Sequence, residues 1–87
     1  MPAEKAARVA ERRRQRNRSI RSGTRTLVRK AIALMEQGSL GEAEAAVQAA
    51  LSALDKAAQK GAIHENAADR SKSRLVRRLN QARARAA

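Results

Sequence analysis

The chain has no cysteine, no Phe, Tyr or Trp, a single histidine, and only eight acidic side chains against 20 basic ones among 87 residues. Without cysteine, disulfides, thiolate catalysis and cysteine zinc sites are excluded. His64 alone is too little for a metal-ligand set, so no metal and no other cofactor is expected. No apolar run approaches the roughly 20 residues of a membrane span. The N-terminus MPAEKAARVAERRR lacks the hydrophobic segment of a secretory signal, so a soluble, cytoplasmic protein is expected. The missing aromatics disfavour recognition of single-stranded bases, which are stacked on aromatic rings where they are read. A domain this small buries a modest share of its surface and leaves little room for a cleft. Its few carboxylates form no spaced acid–base pair in a plausible pocket, so neither an enzyme nor a small-molecule substrate is expected.

What is abundant is positive charge, +12 overall, and 15 of the 20 cations are Arg. The guanidinium fork grips phosphate oxygens in pairs, which points to a polyanionic partner. The charge is unevenly placed: residues 1–30 carry +9, residues 31–69 carry −4 and residues 70–87 carry +7. A disordered basic tail loads one end only. Two basic ends around an acidic middle imply a fold that brings the ends onto one surface.

Periodicity gives the means. Ile20, Thr24, Leu27, Ala31 and Leu34 recur at helical steps, widened by Val28, Ile32 and Met35. This predicts a first helix over about 4–37, ending at Gly38. Ser39 with Glu42 three residues on reads as a capping box, opening a second helix over about 40–60 with Leu40, Ala43, Val47, Ala50, Leu51, Leu54 and Ala58 on its apolar face. After GAIHEN, Asn66 with Asp69 is the expected cap of a third helix over about 66–84, whose stripe is Ser71, Leu75, Leu79 and Ala82, with Val76 beside it. Three helices joined by short turns predict an all-α, antiparallel three-helix bundle forming one domain over 1–87.

At about 1.5 Å per residue the first helix spans roughly 50 Å and the second about 30 Å, leaving an overhang of roughly 20 Å. The overhang is the Arg-rich lead, with Arg12, Arg13, Arg14 and Arg16, and it has no apolar partners before Ile20. Residues 1 to about 16 are therefore expected to be frayed or unfolded in the free chain and helical on the anion. Arg14, Arg18, Arg21, Arg25 and Arg29 form a ridge beside and opposite the apolar face, and Arg70, Arg74, Arg77, Arg78 and Arg85 avoid the Leu75–Leu79 face of the third helix. Opposite charges are nearly missing from both ridges, so helix-stabilising pairs do not account for them. The expected partner is structured RNA, bound through phosphates, riboses and shape. The alternative is a DNA-binding basic-helix or nucleoid-associated protein; Asn17, Thr24 and Arg25 faintly echo a leucine-zipper basic region, but Gly38 and Gly41 follow where the zipper would run. Residues 4–19 lack the large apolar face of a membrane-surface helix, so no membrane partner is expected. With 15 large aliphatics after the first residue, core burial and ordering entropy nearly cancel, and a marginal bundle stabilised by RNA is expected.

RNRSIRSGTRTLVRKA, then an acidic Ala-rich helix, then KGAIHENAADRSKSRL, resembles the bacterial ribosomal protein family numbered twenty in the small subunit. The match is colinear without gaps from about Glu11 to Leu79, and Gly61, Ile63, His64, Asn66, Arg70, Lys72 and Ser73 make its second motif specific. The resemblance implies a structural protein that binds small-subunit ribosomal RNA directly and early in assembly, joining the five-prime domain to the long penultimate stem. It further implies RNA contacts at Asn17, Arg18, Arg21, Ser22, Arg25, Arg29 and Lys30, and at His64, Asn66, Arg70, Lys72, Ser73 and Arg74. Arg12, Arg13, Arg14, Arg16, Arg77 and Arg78 join that expected surface through their charge. The chain departs from the family pattern at Glu65 and Ala67, where relatives often have Lys, and at Asp69, where a neutral or basic residue is common.

Overall fold

A computed structural model describes residues 2–86 as three helices, α1 (Pro2–Glu36), α2 (Leu40–Gln59) and α3 (Glu65–Ala86), with no strand among the described residues. Each boundary lies within two residues of the position expected from periodicity. Cross-helix pairs fix the directions. Lys72 of α3 meets Asp55 of α2 at 2.7 Å, and Arg83, eleven residues further on, meets Glu44, eleven residues further back, at 3.0 Å. Helices α2 and α3 are therefore antiparallel. Arg16 and Arg21 of α1 reach the turn that follows α2, so α1 is antiparallel to α2 and parallel to α3. Among the described residues no helix is long and apolar enough to cross a membrane.

Both turns are built by glycine in the left-handed region, where a side chain crowds the backbone. At Gly38 (φ +79°), the Gly38 N–H donates to Met35 O at 3.1 Å and the Ser39 N–H to Leu34 O at 3.0 Å. At Gly61 (φ +75°), the Gly61 N–H donates to Ala58 O at 3.1 Å and the Ala62 N–H to Ala57 O at 2.9 Å. Each is the paired 6→1 and 5→2 pattern of a Schellman motif, which takes up carbonyls the helix end leaves free.

The helix starts differ from expectation. Ser39 caps α2 by position, yet its side chain makes no capping bond, so the capping box with Glu42 does not form. The reason is the preceding turn: the Ser39 amide is held by Leu34 O, and its ψ of 68° lies outside the extended geometry that aims a cap oxygen at the helix amides. Helix α3 begins one residue before the expected cap. His64, not Asn66, is its cap: His64 Nδ1 accepts the Asn66 N–H at 3.1 Å, and His64 O accepts the Ala68 N–H at 3.0 Å.

Ala31, Ala43, Val47, Ala50, Leu75 and Leu79 form the buried cluster, and Leu27, Val28, Ile32, Leu34, Met35, Ala46 and Leu51 pack around it half-buried. Three of the six are alanines, Ala31 on α1 and Ala43 and Ala50 on α2, so much of this cluster is built from small side chains. Ser71 is exposed and Ala68 is buried in its place, while Ala57 rather than Ala58 is fully covered. Helix α3 packs on α2 more than on α1, and this turns its buried stripe from Ser71 toward Ala68 and Lys72. Thr24 is the one buried polar side chain among the described residues, and its hydroxyl is satisfied by donating to Ile20 O at 2.8 Å.

Residues 3–16 are exposed throughout and extend the molecule to 64 Å along its long axis. The expectation of an unfolded lead is not what the structure gives: α1 continues to Pro2, and Met1 lies outside the described residues. Local forces suffice for that. Ala3, Ala6, Ala7 and Ala10 alternate with Glu, Lys and Arg, all strong helix formers, and Glu11 takes Arg14 at 3.2 Å and the Gln15 amide at 3.3 Å. From Ala3 to Gln15, no hydrogen bond or ion pair among the described residues ties this stretch to another helix, so its stability is that of an isolated helix, which is marginal at such length.

Candidate nucleic-acid interface

Helical phase places the first ridge. Ile32 lies seven residues beyond Arg25, about 20° round the helix at 3.6 residues per turn. Together with Met35 and Glu36, Ile32 lines a groove shared with Arg78, Gln81, Ala82 and Arg85 of α3. The flank of α1 that bears Arg14, Arg18, Arg21, Arg25 and Arg29 therefore faces the α3 side of the molecule, and all five are exposed. On α3, Arg70, Arg74 and Arg78 follow one another at steps of four, Arg85 continues seven residues later, and all four are exposed. By helical phase the two lines of guanidinium lie on the α3-facing flank of α1 and on the α1-facing flank of α3, and Arg78 and Arg85 line the groove between the helices.

The remaining expected residues divide around it. Arg77 sits on the far shoulder of α3, lining the groove toward α2 with Lys72, Ser73, Val76 and Leu51. Arg12 and Lys30 lie on the opposite flank of α1, with Ser19 and Gly23, while Ser22 lies between the flanks; all are exposed. Arg13 points along the core direction, but beyond the end of the bundle, where nothing covers it. Asn66 and Ser73 are exposed on α3, and the exposed His64 ring carries the α3 cap. With Nδ1 accepting an amide, its Nε2 carries the proton and is free to donate outward.

Besides Arg14 with Glu11 and His64 with the Asn66 amide, three expected contacts reach across to another element, and a fourth, Asn17, is partly enclosed. Arg21 Nη1 donates to Ala62 O at 3.2 Å, and Arg16 Nη2 donates to Lys60 O at 3.5 Å. Asn17 is half-buried, and its Oδ1 is closed off from solvent with no hydrogen-bond partner. Lys72 Nζ donates to Asp55 Oδ1, and this bond, aided by the charges of Asp55 and Asp69, holds the Lys72 pKa above the ordinary lysine value of 10.5. Sequence spacing does not reveal these engagements, because each depends on which turn or helix lies opposite. Arg85 is the residue that the expected contact set leaves out and the groove includes; its signal was the seven-residue step from Arg78.

Electrostatics follow from this layout. Of the six carboxylates of the acidic middle, Glu42, Glu44 and Asp55 lie on α2, Glu36 ends α1, and Glu65 and Asp69 open α3; Glu44 and Asp55 are taken up by Arg83 and Lys72 on the α2–α3 side. On the α1–α3 side Arg14 pairs with Glu11 and Glu36 lines the groove, but Arg18, Arg25, Arg29, Arg70, Arg74 and Arg78 make no ion pair or hydrogen bond among the described residues. A dense row of uncompensated guanidinium raises local anion concentration and suits phosphates spaced along a backbone. No aromatic side chain stands among them to stack a base.

Residues 2–80 match the family model described as "Ribosomal protein S20". Small ribosomal subunit protein bS20 of Dehalococcoides mccartyi (strain ATCC BAA-2266 / KCTC 15142 / 195) is 54% identical over 80 residues, covering 92% of this chain and 91% of that protein. The protein of the same name from Thermomicrobium roseum is 54% identical over 78 residues, covering 90% of this chain and 79% of its own length. That from Geobacillus thermodenitrificans is 46% identical over 80 residues, with 92% and 90% covered. The chain belongs to the ribosomal protein S20 family.

Proposed function

We propose that this chain is a structural, non-catalytic protein of the small ribosomal subunit and that it holds small-subunit ribosomal RNA along its α1–α3 face. Family membership supports the ribosomal role. The observation that carries the mode of binding is the pair of exposed, unpaired Arg lines, Arg18–Arg25–Arg29 on the α3 side of α1 and Arg70–Arg74–Arg78 on the α1 side of α3, with Arg78 in the groove between the helices. Phosphates of two neighbouring RNA helices fit such a surface. The α1 overhang, with Arg12, Arg13 and Arg14, extends the same charge beyond the bundle. The finer reading is that the protein joins the five-prime domain to the long penultimate stem. It is supported by the length of the molecule, 64 Å, which is enough to touch two separate RNA elements at once.

Stability and binding are linked in this scheme. A ligand that binds only the folded form at 100 times its Kd adds about 2.7 kcal/mol, a large share of the stability of a bundle whose large buried side chains among the described residues are Val47, Leu54, Leu75 and Leu79. Hydroxyl-radical footprinting of small-subunit RNA with and without the protein tests the reading. Protection in both the five-prime domain and the penultimate stem is the expected result; protection confined to one of them would remove the bridging role, and none would remove RNA binding. Duplex DNA displacing the folded RNA at matched salt would favour the DNA-binding alternative.

A further inference from the structure

We propose that Arg16 and Arg21 are positioning residues that clamp the α2–α3 turn and set the direction in which the α1 overhang leaves the bundle, rather than phosphate contacts. The inference rests on the RNA-binding reading and divides the labour of its arginines.

The turn sets the need. Ala57 O takes the Ala62 N–H at 2.9 Å and the Ile63 N–H at 3.4 Å, Ala58 O takes Gly61 and Lys56 O takes Lys60. Lys60 O and Ala62 O receive no backbone donor in this turn. They stand at the C-terminal, electronegative end of α2, where cations are favoured. Arg16 supplies Lys60 O and Arg21 supplies Ala62 O, so both carbonyls are met by guanidinium from a helix more than 40 residues earlier in the chain.

Placement on α1 turns two bonds into a clamp. Five residues separate Arg16 from Arg21, about 140° round the helix and roughly 7.5 Å along it. They therefore stand on opposite shoulders of the core-facing stripe, with the half-buried Asn17 and Ile20 between them. Holding the turn from both shoulders resists rotation of α1 about its own axis as well as tilting. The place is also significant, because N-terminal to Arg16 no hydrogen bond joins α1 to another helix. An error in angle at this point is carried outward along the whole overhang.

A phosphate contact and a positioning contact differ in salt dependence. Each phosphate neutralised adds about 0.7 to 0.9 to the slope of log affinity against log salt; a residue that only orients the rod adds nothing. The experiment compares Arg21→Gln and Arg16→Gln with Arg18→Gln and Arg25→Gln, titrating small-subunit RNA across a salt series and following amide exchange of the free proteins. For Arg21→Gln and Arg16→Gln we expect weaker binding by the same factor at every salt, an unchanged slope, and about fivefold faster exchange at the Ala62 and Ile63 amides, the equivalent of one exposed hydrogen bond of about 1 kcal/mol. Arg21→Lys keeps a charged donor of longer reach than the Gln amide and restores the protection. A slope that falls by about 0.7 to 0.9 in Arg21→Gln, or turn exchange that does not change, overturns the proposal. If Arg18→Gln and Arg25→Gln also leave the slope unchanged, it is the RNA-phosphate reading that fails instead.

Discussion

Three glycines give a test in which one chemical change has opposite signs at different places. Gly38 and Gly61 have φ of +79° and +75°, Gly23 lies mid-helix without positive φ, and a Cβ added at any of the three meets nothing within 4 Å. Steric clash is therefore removed from the comparison, and backbone conformation decides. At Gly61, alanine takes on a left-handed penalty of about 1–2 kcal/mol, partly offset by the roughly 0.4–1 kcal/mol gained from a stiffer unfolded chain. The net is a loss of about 1 kcal/mol. At Gly23, alanine carries no such penalty and gains about 1 kcal/mol of helix propensity. For a chain of this size 1 kcal/mol moves Tm by about 4–8 °C, so thermal melts followed by helical circular dichroism should place Gly23→Ala above the parent and Gly61→Ala below it, roughly 10 °C apart. If Gly23→Ala melts lower, or Gly61→Ala melts no lower, the assignment of the turns is wrong. The same variants probe the RNA side. Should Gly23→Ala raise Tm and still weaken RNA binding, an RNA backbone lies against that open helix surface; unchanged affinity means the glycine is merely tolerated.

Other outcomes follow from the packing and the charges. Leu79→Ala removes one of the two large buried side chains of α3 and should cost about 2–5 kcal/mol, readable as loss of cooperative melting unless RNA is present. Because the Lys72 pKa is raised by Asp55, the stability this pair contributes is fully present below the ordinary lysine value and is lost as pH rises through the raised one. The Tm gap between parent and Asp55→Asn should therefore be constant from pH 7 to about 9 and close at higher pH. Amide exchange on the free protein should be fast over residues 3–15 and slow over Leu27–Leu34, with RNA slowing the former; equal protection in both would contradict the view of α1 as an anchored helix with a locally held extension.

Much of the fold was legible because the strongest signals are local. Gly38 and Gly61 end helices in any context that offers a turn, and the Leu27–Ala31–Leu34 and Leu75–Leu79 spacings identify buried faces whatever lies opposite. What failed depended on partners. Ser39 and Glu42 have the right spacing for a capping box, but the Ser39 amide is already bound to Leu34 O at the end of α1, which stops only three residues earlier. Ser71 against Ala68 was decided by α3 packing more on α2 than on α1. The same holds for the site: ridges at steps of three and four are visible in the sequence, whereas the engagement of Arg16 and Arg21 with the turn, and of Lys72 with Asp55, needs residues 17 or more positions away. Arg21 and Arg25 look alike in sequence, and only the turn beside Arg21 separates them.

The central claim is that RNA lies on the α1–α3 face and not on the outer face of α2. Because the chain has no cysteine, one can be introduced at a time to tether an iron chelate that cleaves nearby RNA. Ser22→Cys on α1, Gln81→Cys on α3 and Ser52→Cys on α2, all at exposed positions, sample the two faces. Cleavage of bound small-subunit RNA from the first two tethers and little from Ser52→Cys is the predicted result; cleavage that is strongest from Ser52→Cys would contradict the account.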